Sequence, residues 1–263
     1  MTTFDIMELN RIYNENCLDT MARMPDGFID LTVTSPPYDN LRTYNGYDFD
    51  FEPIARELFR VTKKGGVVVW VVGDATINGS ETGTSFRQAL YFKEIGFNLH
   101  DTMIYQVPGT GAKGSNYAYW QAFEYMFVIA KGPPRTVNRL KDKKNVKAYT
   151  IGGGRYREGG AREQYHAIDL YGVRDNVWTY AVGGLNKDTG SHPAPFPANL
   201  ARDHIQSWSN ENDLIYDPFM GSGTTAKAAH QLKRRWVGSE ISSEYVELAN
   251  KRLEPYLAQE TLF

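Results

Sequence analysis

The sequence predicts an α/β protein built on a doubly wound, mainly parallel sheet, with an antiparallel hairpin at one edge and a small basic lobe. Two observations carry this expectation. Short apolar, β-branched runs bounded by turn residues recur along the 263 residues, and helical patterns lie between several of them. Strands that alternate with helices return on the same side and pair in parallel, with helices over both faces. A chain of this length also accommodates one large domain with an inserted lobe, and not two full-sized domains.

Asp30 to Ser35 is the first clear strand, and Pro36-Pro37 ends it because proline has no N–H to donate to a ladder. Phe51 to Val61 follows with helical spacing. Gly66 to Asp74 contains Val67-Val68-Val69-Trp70-Val71-Val72, apolar at every position, as expected of a central strand buried on both faces. Thr84 to Ile95 is the next helix. Asn98 to Tyr105 and Gln121 to Lys131 are joined by a less helical segment, which gives the antiparallel edge hairpin. Leu214 to Phe219, a helix over Thr224 to Gln231, a strand over Arg235 to Ile241 and a helix over Ser243 to Leu257 complete the alternation.

Between Gly132 and Gly190 the periodicity fades while Gly, Lys, Arg and Tyr rise. Lys131 to Arg162 holds ten Lys/Arg against two acids, although the whole chain has a net charge of −2. Such a run is either a solvated face or a phosphate-binding surface. Tyr149, Tyr156 and Tyr165 interleave with it, the mixture that combines phosphate contacts with stacking. No apolar run is long enough to span a bilayer, and Asp5 and Glu8 stand where a signal peptide needs a basic flank, so the expected location is the cytoplasm with no membrane partner. Cys17 is the sole cysteine, and His166, His192 and His204 lack ligand spacing, so no metal is expected.

Two constellations carry chemistry. Ser35-Pro36-Pro37-Tyr38 follows a strand directly and therefore lies at the carboxyl edge, where α/β sheets bind ligands. The exocyclic amino group of a base is a poor nucleophile because its lone pair is delocalised into the ring. The Ser35 hydroxyl and the Pro36 carbonyl can accept hydrogen bonds from it and draw it towards tetrahedral geometry, while Tyr38 stacks on a base held out of its helix. A Pro-Pro turn that merely closes a strand explains the prolines equally well, though not the flanking Ser and Tyr. The second constellation, Asp217-Pro218-Phe219-Met220-Gly221-Ser222-Gly223-Thr224-Thr225-Ala226, contains G-x-G-x-x-A between a strand and a helix. Glu240 ends the next strand, where a carboxylate can take both ribose hydroxyls. A nicotinamide-binding fold would begin with this unit, whereas here it comes last.

Together these residues resemble the β group of amino-group DNA methyltransferases of bacteria and phages, in which the catalytic motif precedes the cofactor motif. Thr34 to Tyr38 resembles the catalytic motif and Asp217 to Thr225 the S-adenosylmethionine motif. His192-Pro193-Ala194-Pro195-Phe196-Pro197 is similar to the stretch that helps bind the cofactor's methionine end. Trp236 to Glu240 with Tyr245, Ala249 and Arg252 resembles the second cofactor strand and its helix. The resemblance covers nearly the whole chain apart from the basic insert. It implies S-adenosylmethionine as cofactor, bound by Asn16, Cys17, Phe196, Pro197, Asp217, Pro218, Phe219, Gly221, Ser222, Gly223, Thr224, Thr225 and Glu240. Asn16-Cys17 departs from the Asp-Cys common in the family, which favours a backbone contact there.

The resemblance divides the chain into a catalytic half over residues 1–133, a target-recognition insert over 134–190 and a cofactor-binding half over 191–263. It implies double-stranded DNA as substrate, contacted by Arg42, Lys141, Lys143, Lys144, Arg155 and Arg157, and it admits a cognate restriction endonuclease and a homodimer as partners. Methylation at cytosine C5 needs a cysteine nucleophile, and Cys17 lies outside the Ser-Pro-Pro-Tyr turn. Family members that act on cytosine mostly carry Ser at the first motif position, so Ser35 favours N4 of cytosine. N6 of adenine is the alternative, and an RNA or protein-amide substrate is the rival from another class.

Overall fold

The valine run around Trp70 lies in the middle of an eight-stranded sheet. The computed structural model describes residues 7–37, 49–108, 119–149, 167–180 and 197–258. They fall into two units, one of Met1–Asn138 with Val177–Phe263 and one of Arg139–Asn176.

The first unit begins with β1 (Arg11–Tyr13), α1 (Cys17–Ala22), β2 (Ile29–Thr34), α2 (Phe51–Val61) and β3 (Thr62–Val72). A short ribbon of β4 (Thr76–Ile77) and β5 (Ser80–Glu81) leads to α3 (Thr84–Glu94), β6 (Asn98–Gln106) and β7 (Phe123–Ala130). The second unit contains an antiparallel ribbon, β8 (Lys143–Lys144) and β9 (Tyr171–Gly172). The first unit then resumes with β10 (Val177–Thr179), α4 (Ala198–Trp208), β11 (Leu214–Asp217), α5 (Thr224–Gln231), β12 (Arg235–Ser239) and α6 (Ser243–Leu257). The strand order is β1-β12-β11-β2-β3-β7-β6-β10.

Neighbours from β1 to β3 are all parallel, and β7 is antiparallel to both β3 and β6. This is the expected doubly wound sheet with its hairpin, with one difference at the edge. β10 lies outside the hairpin, parallel to β6. Its three residues include one buried side chain, Trp178, which is too little for an alternating pattern to be read. Because β10 pairs in the sheet, the second unit stops at Asn176, inside the insert that the resemblance places over 134–190.

Side-chain alternation gives β3 two buried faces. Val68, Trp70 and Val72 stand opposite Ile129, Phe127 and Tyr125 of β7. They share a core with Met21 of α1, Ile54 and Leu58 of α2, and Ala89 and Phe92 of α3. Trp70 is fully buried, its ring 5.3 Å from that of Phe92, and its Nε1 donates to Gln88 Oε1 at 2.8 Å. Burying each such large side chain contributes about 1.5 to 3 kcal/mol. On the other face α4 packs on β2 and α5 on β11, with Leu200, Ala201 and Ile205 buried. No helix among the described residues is long and apolar enough to cross a membrane.

A buried carboxylate aligns the amino ends of three strands. Asp30, at the start of β2 and 3% exposed, accepts the Leu214 N–H and the Lys63 ammonium, both at 2.8 Å, and pairs with Arg135. Removing one partner from a buried charge is strongly destabilising. This knot fixes how far β2, β3 and β11 reach, and hence where their carboxyl ends stand.

Candidate active site at the carboxyl edge of the sheet

Because β1, β12, β11, β2 and β3 run parallel, their carboxyl ends share one edge. Two adjacent strands there carry the two motifs. β2 runs into Ser35-Pro36-Pro37, with Pro36 buried and Ser35 and Pro37 half-buried. β11 pairs with β2 through Ile215 opposite Leu31 and Tyr216 opposite Thr32, so Asp217 comes level with the end of β2. The Thr34 hydroxyl donates to Asp217 Oδ1 at 2.7 Å, joining the motifs across 183 residues of chain.

Asp217 is 5% exposed, and Oδ1 also accepts the Phe219 N–H at 3.0 Å. Burial pushes its carboxyl up to about 6, against the opposing hydrogen bonds from Thr34, Thr225 and Phe219. The chain then turns into α5 through two left-handed glycines, Gly221 (φ 51°) and Gly223 (φ 79°), the latter capping the helix. Only glycine takes these angles without strain, and α6 adds a second demand. A Cβ on Gly223 would stand 3.1 Å from the Cβ of Ala249. The N–H groups at the first turn of α5 and the helix dipole make such a turn a seat for polar or anionic ligand groups.

Glu240, just beyond β12, supports this loop from the neighbouring strand. Its Oε2 accepts the Gly221 N–H at 2.8 Å and its Oε1 the Ser242 N–H at 2.9 Å. Burial raises its pKa above the usual carboxylate value. From behind, Arg252 of α6 donates to Ser222 O and Thr224 Oγ1, each at 3.0 Å. The contacts of Thr34 and Arg252 have no local signal in the sequence, because their partners lie 183 and about 30 residues away.

Asn16 and Cys17 come to the same edge at the start of α1. The Asn16 side chain caps the helix by accepting the Leu18 N–H at 2.9 Å. Cys17 O lies 3.5 Å from the Tyr216 hydroxyl, which also meets Ser239 Oγ at 2.8 Å. The Cys17 thiol is buried, and that burial pushes it up to about 12, which keeps it protonated and non-nucleophilic at neutral pH. Pro218 is buried and Phe219 half-buried, its ring 6.4 Å from Trp70. Pro197 caps α4 at its amino end. Tyr38, Arg42, Arg155, Arg157 and Phe196 lie outside the described residues.

Part of the basic run is consumed internally. Lys131 donates to Phe59 O at 2.7 Å and Thr62 O at 3.0 Å, at the carboxyl end of α2, and Arg135 pairs with Asp30 and Asp213. Within the second unit, Lys143 pairs with Asp175 at 2.6 Å and Arg174 with Asp142. Lys144 is exposed and Lys141 lies beside it on the same short segment, exposed as well.

A family model described as DNA methylase, for N6 and N4 methyltransferases, matches residues 29–251. The chain belongs to the DNA methylase family. The match begins at the first residue of β2 and ends within α6, so both motifs lie inside it. The methylase is 56% identical over 243 residues to the orphan methyltransferase M.BamHII of Bacillus amyloliquefaciens, an alignment that covers 88% of this chain and 91% of that protein. Solved structures that share its fold include two DNA methyltransferases. The cytosine-N4-specific PvuII DNA methyltransferase superposes with a TM-score of 0.67 at 21% identity, over 94% of this methylase and 89% of that chain. The M1.HpyAVI–SAM complex superposes with a TM-score of 0.63 at 21% identity, over 92% and 98%.

Proposed function

We propose that this methylase transfers a methyl group from S-adenosylmethionine to the exocyclic amino nitrogen of a base flipped out of double-stranded DNA, with N4 of cytosine as the acceptor. The observation that carries this is the adjacency of Ser35-Pro36 and the Gly221–Thr225 loop on neighbouring strand ends, tied by Thr34 and Asp217. Membership of the family, and the cofactor named in the M1.HpyAVI complex, support the choice of methyl donor.

The residues present fit that cofactor. Each oxygen of the Glu240 carboxylate accepts one backbone N–H, which leaves each a lone pair for a ribose hydroxyl. Gly221, Ser222, Gly223, Thr224 and Thr225 form the loop beneath it, with Asn16 and Cys17 on one side, and Asp217, Pro218 and Phe219 shape the entry to that loop. Phe196 and Pro197 stand in the segment that serves the methionine end. When bound, S-adenosylmethionine supplies an electrophilic methyl group and leaves as the neutral thioether.

Ser35 and Pro36 prepare the nucleophile. Their two acceptors take the amino N–H bonds, so the nitrogen lone pair leaves conjugation and points at the incoming carbon. The proline rings hold the carbonyl direction, so no reorganisation is needed in the transition state. Tyr38 stacks on the extruded base, and Pro37 fixes the turn between them. The nitrogen passes one proton to solvent as the N–C bond forms and the S–CH3 bond breaks, and no covalent bond to the protein is needed. Lys141, Lys143, Lys144, Arg155, Arg157 and Arg42 supply phosphate contacts that hold the duplex.

Ser35 and the cytosine-N4-specific name of the PvuII enzyme favour cytosine over adenine. The test is transfer of labelled methyl groups from S-adenosylmethionine to duplex DNA, RNA and protein offered in parallel. Label in DNA is the expected result. Label confined to RNA or protein overturns the assignment.

A further inference from the structure

Among the described residues, the Thr34–Asp217 hydrogen bond runs side chain to side chain from the strand of the catalytic motif to the strand of the cofactor motif. Its surroundings define what it can do. Thr34 is 1% exposed and Asp217 5% exposed, so neither can turn out to solvent. Asp217 Oδ1 is shared between the Thr34 hydroxyl and the Phe219 N–H. Thr225, the second residue of α5, also hydrogen-bonds the carboxylate, and its hydroxyl lies 3.4 Å from Val33 O on β2. The polar atoms between the two motifs thus bond chiefly to one another.

We infer that Thr34 and Asp217 act as one brace, positioning residues that hold Ser35-Pro36 at a fixed distance from the glycine loop, and that Asp217 serves through Thr34 instead of as a direct cofactor ligand. This rests on the function proposed above and specifies how its two half-sites are kept in register. Methyl transfer in line needs the acceptor nitrogen and the methyl carbon close to one geometry, and small displacements lower turnover steeply. The peptide link from Thr34 to Ser35, and from Asp217 through Pro218 to the loop, makes that hydrogen bond a direct side-chain route between the two half-sites, beside the contact of the Thr225 hydroxyl with Val33 O.

The experiment is a double-mutant cycle on the full chain, reading kcat at saturating cofactor and DNA, the cofactor Kd and the thermal midpoint. T34V removes the donor and D217A the acceptor, whereas T34S and D217N keep a hydroxyl and an acceptor oxygen. T34V and D217A are expected to lower kcat about tenfold each, the scale of a lost hydrogen bond to a charged group. The double variant should fall no further than the worse single, because both remove one interaction. T34S and D217N should recover most of the loss, and the cofactor Kd of T34V should change by less than about threefold. Losses that multiply in the double variant overturn the brace. So does a T34V enzyme of wild-type kcat, or a cofactor Kd that rises with D217N as much as with D217A. If T34V fails to fold, T34A replaces it, and if D217A fails to fold, D217L replaces it, with the same expected and overturning results. A wild-type chain that methylates no DNA instead overturns the function itself, so the two failures are separable.

Discussion

Glu240 Oε2 accepts the N–H of Gly221 at 2.8 Å, so the carboxylate at the end of β12 holds the first left-handed glycine of the β11–α5 turn. The bond shapes the loop and leaves the carboxylate facing the same edge as Ser35. Glu240→Ala removes both functions and should raise the cofactor Kd by about tenfold to a hundredfold, the range for a charged hydrogen bond. Glu240→Gln keeps an acceptor for one N–H and should raise it less. Titration calorimetry with S-adenosylmethionine reads both, and an unchanged Kd in Glu240→Ala removes this residue from the cofactor site.

Asp217 gives a pH signature. Burial lifts its carboxyl from 3.8 to about 6 in the folded chain. The folded state therefore holds this proton more tightly than the unfolded state. Its contribution to stability is fully present below about pH 4 and is lost as pH rises through about 6. A difference of that size between the folded and unfolded carboxyl corresponds to about 3 kcal/mol. Asp217→Asn cannot ionise, so its stability relative to wild type should improve between pH 4 and pH 7 by that order. Denaturant unfolding across this range measures the difference, and a constant offset would show that the carboxyl titrates normally.

Much of the fold was legible because its signals are local. Phe51 to Val61 and Ser243 to Leu257 coincide with α2 and α6, and the all-apolar Val67 to Val72 run lies within the central strand β3. What escaped is either short or non-local. β1 has one buried residue, Ile12, and β10 one, Trp178. α4 hides because its buried face includes Asp203, His204 and Ser207, polar residues that break an apolar stripe. At the site, the two motifs and Glu240 were readable as patterns. The contacts made by Thr34, Asp30 and Arg252 were not, since each bonds a group on a different element. The basic run was readable as charge, but its internal ion pairs were not, because Arg135 pairs with Asp30 and Lys143 with Asp175, far away in sequence.

That pairing gives a third prediction. Lys141, Lys143 and Lys144 are all exposed, but Lys143 is paired with Asp175 in the second unit. Lys141→Ala and Lys144→Ala should each flatten the slope of log affinity for duplex DNA against log salt by about 0.9. Lys143→Ala should change it less, because Asp175 already offsets its charge. Fluorescence anisotropy between low and physiological salt reads the slopes. Three equal slopes would mean that the Asp175 pair opens on DNA, and three unchanged slopes would return this segment to a solvated surface.

The central claim is the chemical identity of the product. DNA methylated by the purified chain with S-adenosylmethionine is digested to nucleosides, which are separated and weighed by mass spectrometry. Ser35 at the head of the Pro-Pro turn predicts N4-methyldeoxycytidine, absent from a Ser35→Ala control in which one acceptor for the amino group is gone. N6-methyldeoxyadenosine as the sole modified nucleoside would contradict the cytosine assignment, and 5-methyldeoxycytidine would contradict direct transfer to an amino nitrogen altogether.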